Sequence, residues 1–256
     1  MQVRGVVGGG RFELRRLVGA GACGAVFAAH DRERGREVAL KRPHEQVGAP
    51  LLRFQREFQA LAAIRHPNVV TAHELIAERG RWFFAMELVE GPPLTMAALG
   101  VREGFRQLCA AVEALHAAGI VHRDLKPANV RVTPQGRVVV LDLGLAARRG
   151  EGEPWSFAGS PSTMAPEQWR GGPALEASDW FAVGALLYER LTGARPFVGE
   201  VLEIAEAKAA GRFVRPRERT PGVPPELDAA CCALLDPRPE RRTAGVELLQ
   251  RAVAPN

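Results

Sequence analysis

The sequence predicts an α+β fold in two lobes, a small β-rich lobe with one helix and a larger, mainly helical one. Three observations carry this. Short runs of β-branched and aromatic residues dominate the first third, to about residue 88. Beyond the Gly91-Pro-Pro break, apolar residues recur at helical spacing. A chain of 256 residues, 46 % hydrophobic and 25 % charged, is also large enough to bury a substantial core.

Taken in order, residues 1–10 are glycine-rich and read as a flexible N-terminal tail. Residues 12–17, 25–29 and 37–42 read as strands, with the charged turn Asp31-Arg-Glu-Arg-Gly between the last two. Apolar residues at 51, 54, 58, 61 and 64 predict an amphipathic helix, closed by Pro67. Two further strands, 69–76 and 82–88, flank a turn at 78–81, so residues 11–90 form the first lobe and its exit. Residues 91–256 form the second lobe. In it, 105–118 predicts a helix ended by Gly119, and 130–132 with 138–141 a hairpin. Residues 143–166 lack periodicity and read as a long irregular segment. Helices are expected over 179–191, 201–210, 225–235 and 244–253.

Charge and cysteine usage exclude several functions. The 34 basic residues are interleaved with 29 acidic ones, so the net charge of +5 marks no nucleic-acid surface. No apolar run is long enough to span a membrane, and no apolar block follows the first residues as in a secretory leader. Four cysteines, two of them adjacent, suit neither a disulfide framework nor zinc, and a cytoplasmic setting is expected. Nothing in the pattern fixes an oligomeric state. The cations are lopsided: only Lys41, Lys126 and Lys208 are lysines, against 31 arginines. A lysine kept in such a chain asks for a local reason, because a compact ammonium and a planar guanidinium do different work.

Three groups of residues carry chemistry. Gly19, Gly21 and Gly24 lie in a run that continues into the strand of Val26. Glycines let backbone N–H groups approach phosphate closely, and a strand after the last glycine argues for a hairpin rather than a dinucleotide-binding turn. Taken alone, the run is equally an ordinary turn, and its Cys23 either a small filler or an accessible thiol. Lys41 ends the apolar strand Val-Ala-Leu-Lys and needs a partner or a route to solvent. Glu57, on the 51–64 helix, is a candidate partner, or else a solvated charge. The third group is His122-Arg-Asp-Leu-Lys-Pro-Ala-Asn129 followed by Asp142-Leu-Gly. Asp142 and Asn129 are hard oxygen ligands suited to Mg²⁺ with phosphates, Asp124 can accept a proton, and Lys126 can neutralise phosphoryl charge. Two of three lysines and two of six aspartates fall in this chemistry, which an ordinary polar loop does not explain.

In order and approximate spacing, these motifs, with Ala165-Pro-Glu167 after them, make the chain resemble a bacterial Hanks-type Ser/Thr protein kinase domain, over about residues 11–250. The resemblance implies the bilobal kinase fold, with Mg-ATP (Mn²⁺ being the alternative ion) in its cleft and a protein hydroxyl as acceptor. It implies that Gly19, Gly21 and Gly24 cover the phosphates and that Lys41 holds them while paired with Glu57. Asp124 would be the base, Lys126 would contact the γ-phosphate, and Asn129 and Asp142 would bind metal. Val26 and Ala39 would cover adenine, with Met86 as gatekeeper, the backbones of Glu87 and Val89 at the ring edge and Arg131 beneath it. Asp179 would tie a buried helix to the loop of His122 and Arg123. Glu167 would pair with Arg242 or Arg241, the local register leaving both open. Ser156, Ser160 and Thr163 fall in the activation segment, Ser156 as the candidate autophosphorylation site to be gripped by Arg123, or else a plain loop serine.

The chain also departs from the family pattern. Leu143 replaces Phe, Ser160 replaces Thr, Thr163 stands where Tyr is frequent, and 94–102 is short. Arg131 occupies a usually apolar floor position and Ala72 a usually larger one, which keeps open a weak or inactive pseudokinase acting as a nucleotide-binding scaffold. The 26 residues from Asp142 to Glu167 favour a protein acceptor over the small-molecule phosphotransferases that share the catalytic loop.

Overall fold

The structure is a computed structural model and describes residues 2–21, 24–150 and 160–255. Its first unit, residues 1–90 with 142–144, is built on an antiparallel sheet. The strands are β1 (Gln2–Val7), β2 (Phe12–Gly21), β3 (Gly24–Asp31), β4 (Arg36–Arg42), β5 (Ala72–Glu78) and β6 (Arg81–Met86). They lie in the order β1-β2-β3-β4-β6-β5. Alternation sets its two faces. Phe12, Ala29, Val38, Leu40, Phe83 and Ala85 pack together on one. The other receives α1 (Gly48–Ala63), whose Phe54 and Phe58 rings sit 4.9 and 5.7 Å from Phe84.

Residues 2–7, expected as a tail, form a strand instead. Three glycines in the left-handed region, at φ 65°, 65° and 100°, turn the chain at 8–10 and let it pair back on β2. Val7 joins the buried cluster, and the Glu78 carboxylate accepts from the N–H groups of Gly8 (2.7 Å) and Gly9 (2.9 Å). The glycines that suggested disorder are the turn of a hairpin.

The second unit, residues 91–141 with 145–256, is mainly helical. It contains α2 (Val101–Ala117), the short strands β7 (Ile120–Val121), β8 (Val130–Val132), β9 (Val138–Val140) and β10 (Ala147–Arg148), and then α3 (Pro166–Trp169) and α4 (Glu176–Thr192). α5 (Val201–Ala209), α6 (Pro216–Arg219), α7 (Pro225–Leu234) and α8 (Arg242–Val253) complete it. α4 is buried along an unbroken stretch from Ser178 to Tyr188 and forms the centre. A Cβ on Gly184 would come within 2.8 Å of Leu234 Cβ, and one on Gly245 within 2.7 Å of Leu234 N. These two glycines therefore let α4, α7 and α8 approach closely. The segment expected to be irregular contains β10, which pairs with β7 over two residues, too short a match to leave a periodic trace. Among the described residues no helix is long and apolar enough to cross a membrane.

Candidate active site

In the first unit the register of the sheet does the positioning. Val26 pairs with Lys41 and Gly19, Ala39 with Ala28 and Met86, and Lys41 with Phe84. Side chains two apart share a face, so Val26, Ala39, Lys41 and Met86 line the side that meets α1. On α1, Phe54, Glu57 and Leu61 are buried at helical spacing, which carries a carboxylate inward between two apolar anchors. Lys41 Nζ donates to Glu57 Oε1 at 2.6 Å and to Asp142 Oδ1 at 2.7 Å. Burial disfavours the ammonium, yet the Glu57 and Asp142 carboxylates outweigh it and hold Lys41 above the usual lysine range. Burial likewise pushes the Glu57 carboxyl upward against the attraction of Lys41. Asp142 stands at φ 60°, a conformation costly for a non-glycine residue, and its Oδ1 also accepts from Gly144 N at 3.1 Å.

Of the three glycines in the β2–β3 hairpin, only Gly24 is demanded by the fold. Its φ is 142°, and a Cβ there would lie 2.1 Å from Arg42 O. Gly19 and Gly21 have nothing within 4 Å of a Cβ position. Cys23 and Ser156 lie outside the described residues. Met86 is the last residue of β6, and Glu87 N donates to Thr71 O at 2.9 Å. Met86, Glu87 and Val89 are half-buried. Ala72 opens β5 opposite Met86.

In the second unit the loop between β7 and β8 gathers around Asp124. Asp124 Oδ2 accepts from Lys126 Nζ (2.6 Å) and Asn129 Nδ2 (3.2 Å), and Oδ1 accepts from Ser160 N (3.2 Å). Asn129 Nδ2 also donates to Asp124 O at 2.9 Å, which turns the amide oxygen away from the aspartate. Beneath the loop, the buried Asp179 of α4 accepts from His122 N and Arg123 N, both at 2.8 Å. Arg123 is at φ 67°, and the two bonds from the Asp179 carboxylate hold that strained turn. His116, to which the sequence assigned no role, joins this anchor: its Nε2 lies 2.9 Å from Asp179 Oδ2. Its place at the buried end of α2 is the signal that points to it.

Glu167 pairs with Arg242 rather than Arg241. The contact is bidentate, Nη1 to Oε1 at 2.6 Å and Nη2 to Oε2 at 2.8 Å, with Arg242 fully buried and Arg241 exposed. Ser178 Oγ adds a third bond to Glu167 at 2.6 Å. The Arg131 guanidinium folds back onto the backbone. Its Nη1 donates to Gly91 O at 2.9 Å, and its Nε contacts Ala128 O at 3.3 Å. The backbone bridge from Pro93 to Arg131 brings the Gly91 carbonyl within reach of the guanidinium. Thr163 is buried, and Ser160 Oγ lies 3.0 Å from Ser162 Oγ.

The model of the protein kinase domain matches residues 12–253, and the chain belongs to that family. Among curated relatives, the DNA damage-responsive serine/threonine-protein kinase RqkA of Deinococcus radiodurans is 37 % identical over 250 residues. That match covers 91 % of this chain and 37 % of RqkA. Serine/threonine-protein kinase PknE of Mycobacterium tuberculosis is 33 % identical over 249 residues, covering 91 % of this chain and 44 % of PknE. A putative CBL-interacting protein kinase 27 of Oryza sativa subsp. japonica is 35 % identical over 267 residues, covering 98 % of this chain and 65 % of its own length. The chain thus spans less than half the length of these two bacterial relatives.

Proposed function

We propose that this domain is a Ser/Thr protein kinase that transfers the γ-phosphoryl group of Mg-ATP to a serine or threonine hydroxyl on a protein. One observation carries the reading: Lys41 is buried between Glu57 and Asp142. Well-packed apolar residues would hold a sheet against a helix at least as well as a buried ion cluster. A phosphate-binding role explains the ammonium, since two of its three N–H donors are used within the protein and the third is left for an oxyanion.

The donor set also suits a magnesium–nucleotide complex. Asn129 spends its N–H groups on Asp124 and so offers its oxygen, while the Asp142 side chain is 40 % exposed. Among the described residues no three His, Cys, Asp or Glu side chains form a metal cage, as suits an ion carried largely by phosphate oxygens. The family resemblance implies that magnesium, when bound, is held by Asn129 and Asp142 and neutralises charge on the phosphates. Gly19 and Gly21, which the fold leaves free to vary, would bring backbone N–H groups to the same phosphates. Val26, Ala39 and Met86 supply an apolar face for the base.

In the transfer, the substrate oxygen attacks the γ-phosphorus as the bond to the β,γ-bridging oxygen breaks and ADP departs. Asp124 takes the hydroxyl proton. Its carboxylate is aimed by three donors, two on Oδ2 and one on Oδ1, so Oδ1 keeps a lone pair for the substrate. Lys126, on Asp124 beforehand, would follow the charge onto the moving phosphoryl group.

The test uses labelled ATP, Mg²⁺ and a generic protein substrate. Wild type should transfer label to Ser or Thr. Asp124→Asn should lose on the order of 10²–10⁴-fold in rate while still binding ATP. Nucleotide binding without transfer by the wild type would overturn the enzyme reading in favour of a scaffold. Transfer to small aminoglycoside-type acceptors alone would overturn the protein substrate.

A further inference from the structure

Lys208 takes no part in the chemistry above, yet it is fully buried in the last turn of α5. Its Nζ donates to two backbone carbonyls, Pro161 O at 2.6 Å and Met164 O at 2.7 Å. The rings of Phe181 and Phe197 lie 5.4 and 5.5 Å from it, and no ion pair to it exists among the described residues. Burial without a counter-ion pushes its pKa down to about 7. An apolar side chain would fill this space without that penalty. The carbonyls therefore supply the reason for a lysine here.

Those carbonyls belong to one tight turn. Thr163 N and Met164 N both donate to Ser160 O, at 3.1 and 3.0 Å. Ser160 N in turn donates to Asp124 Oδ1. A single ammonium thus grips the turn at two points, and the turn's first amide holds the catalytic-loop carboxylate. Met164 is itself buried, so water has little access to take over as the donor to its oxygen, whereas Pro161 lies at the surface.

We propose that Lys208 is a positioning residue, which fixes the 160–165 turn in the shape that seats a polypeptide substrate beside Asp124. The proposal rests on the kinase reading. It differs from a merely structural role in what should change. Loss of the grip should weaken the substrate peptide and leave nucleotide binding alone.

The experiment compares wild type, Lys208→Met and Lys208→Arg on one peptide substrate, with ATP affinity measured separately by calorimetry. In Lys208→Met the peptide KM should rise about tenfold, the equivalent of about 1.4 kcal/mol and of one net bond to a charged donor. ATP Kd should stay within about twofold. Lys208→Arg keeps a cationic donor and should recover part of the peptide KM. An unchanged peptide KM in Lys208→Met overturns the proposal while leaving the kinase reading intact. A wild type that transfers to no peptide overturns both. Should the methionine variant not fold, hydrogen exchange in Lys208→Gln reads the same contact. Faster exchange confined to the Thr163 and Met164 amides supports the proposal, and unchanged exchange there overturns it.

Discussion

A buried ammonium is tolerable only while its carboxylates remain, and a buried carboxylate only while its ammonium does. In Lys41→Met, Glu57 stays behind as a buried charge without its closest cation. Removing one member of such a pair costs about 3–5 kcal/mol, whereas replacing both by apolar residues is often neutral. Urea unfolding should therefore show a large loss for Lys41→Met and recovery of most of it in Lys41→Met/Glu57→Leu, with phosphotransfer absent from both. The pairing of Lys41 with Glu57 was legible only through the family resemblance, since the residues alone left Glu57 equally a solvated charge. Arg242 was not separable from Arg241 by the same means. The two are adjacent, no periodicity phases them before α8 begins, and only the fold buries one and exposes the other. The partners of Lys208 were invisible for a different reason, since backbone carbonyls leave no mark in a sequence.

The glycine-rich hairpin separates two uses of one residue type at the level of the element. Gly24 answers to the fold and Gly19 does not. Gly24→Ala places a Cβ against Arg42 O in a backbone conformation that L-residues rarely adopt, and should lose at least roughly 1–3 kcal/mol. Gly19→Ala meets open space and should shift stability by no more than about 0.5 kcal/mol. Thermal melts of the two variants check this directly. The strands and helices that carry these residues were mostly readable, with ends that moved by a few residues. α1 begins at Gly48 and α2 at Val101, each before the first strongly periodic residue. β1 escaped because its pairing depends on a turn of three glycines and on Glu78, some 70 residues away.

Across the whole molecule, the chain forms its first unit from residues 1–90 and returns to it for residues 142–144, which bring Asp142 to Lys41. The sequence reading kept 142–144 with the second lobe, because no change of composition or periodicity marks so short a return. Lys208 gives the molecule a stability that depends on pH. Folded, its proton is held with a pKa of about 7, against 10.5 for an ordinary lysine. Between those values the unfolded chain binds the extra proton, so stability rises with pH across the window and is flat below it. Urea midpoints taken from about pH 7 to about pH 9.5 should climb in wild type relative to Lys208→Met, and parallel curves would contradict the assignment.

The scarcity and burial of lysine has a practical side. Lys41 and Lys208 are sealed from solvent, while the Lys126 side chain is 30 % exposed. Activated esters used sparingly on the native protein would thus find, apart from any terminal amine, essentially one nucleophilic nitrogen. It is the one that touches Asp124, so amine coupling to a surface or a dye would tether the domain at the proposed catalytic base.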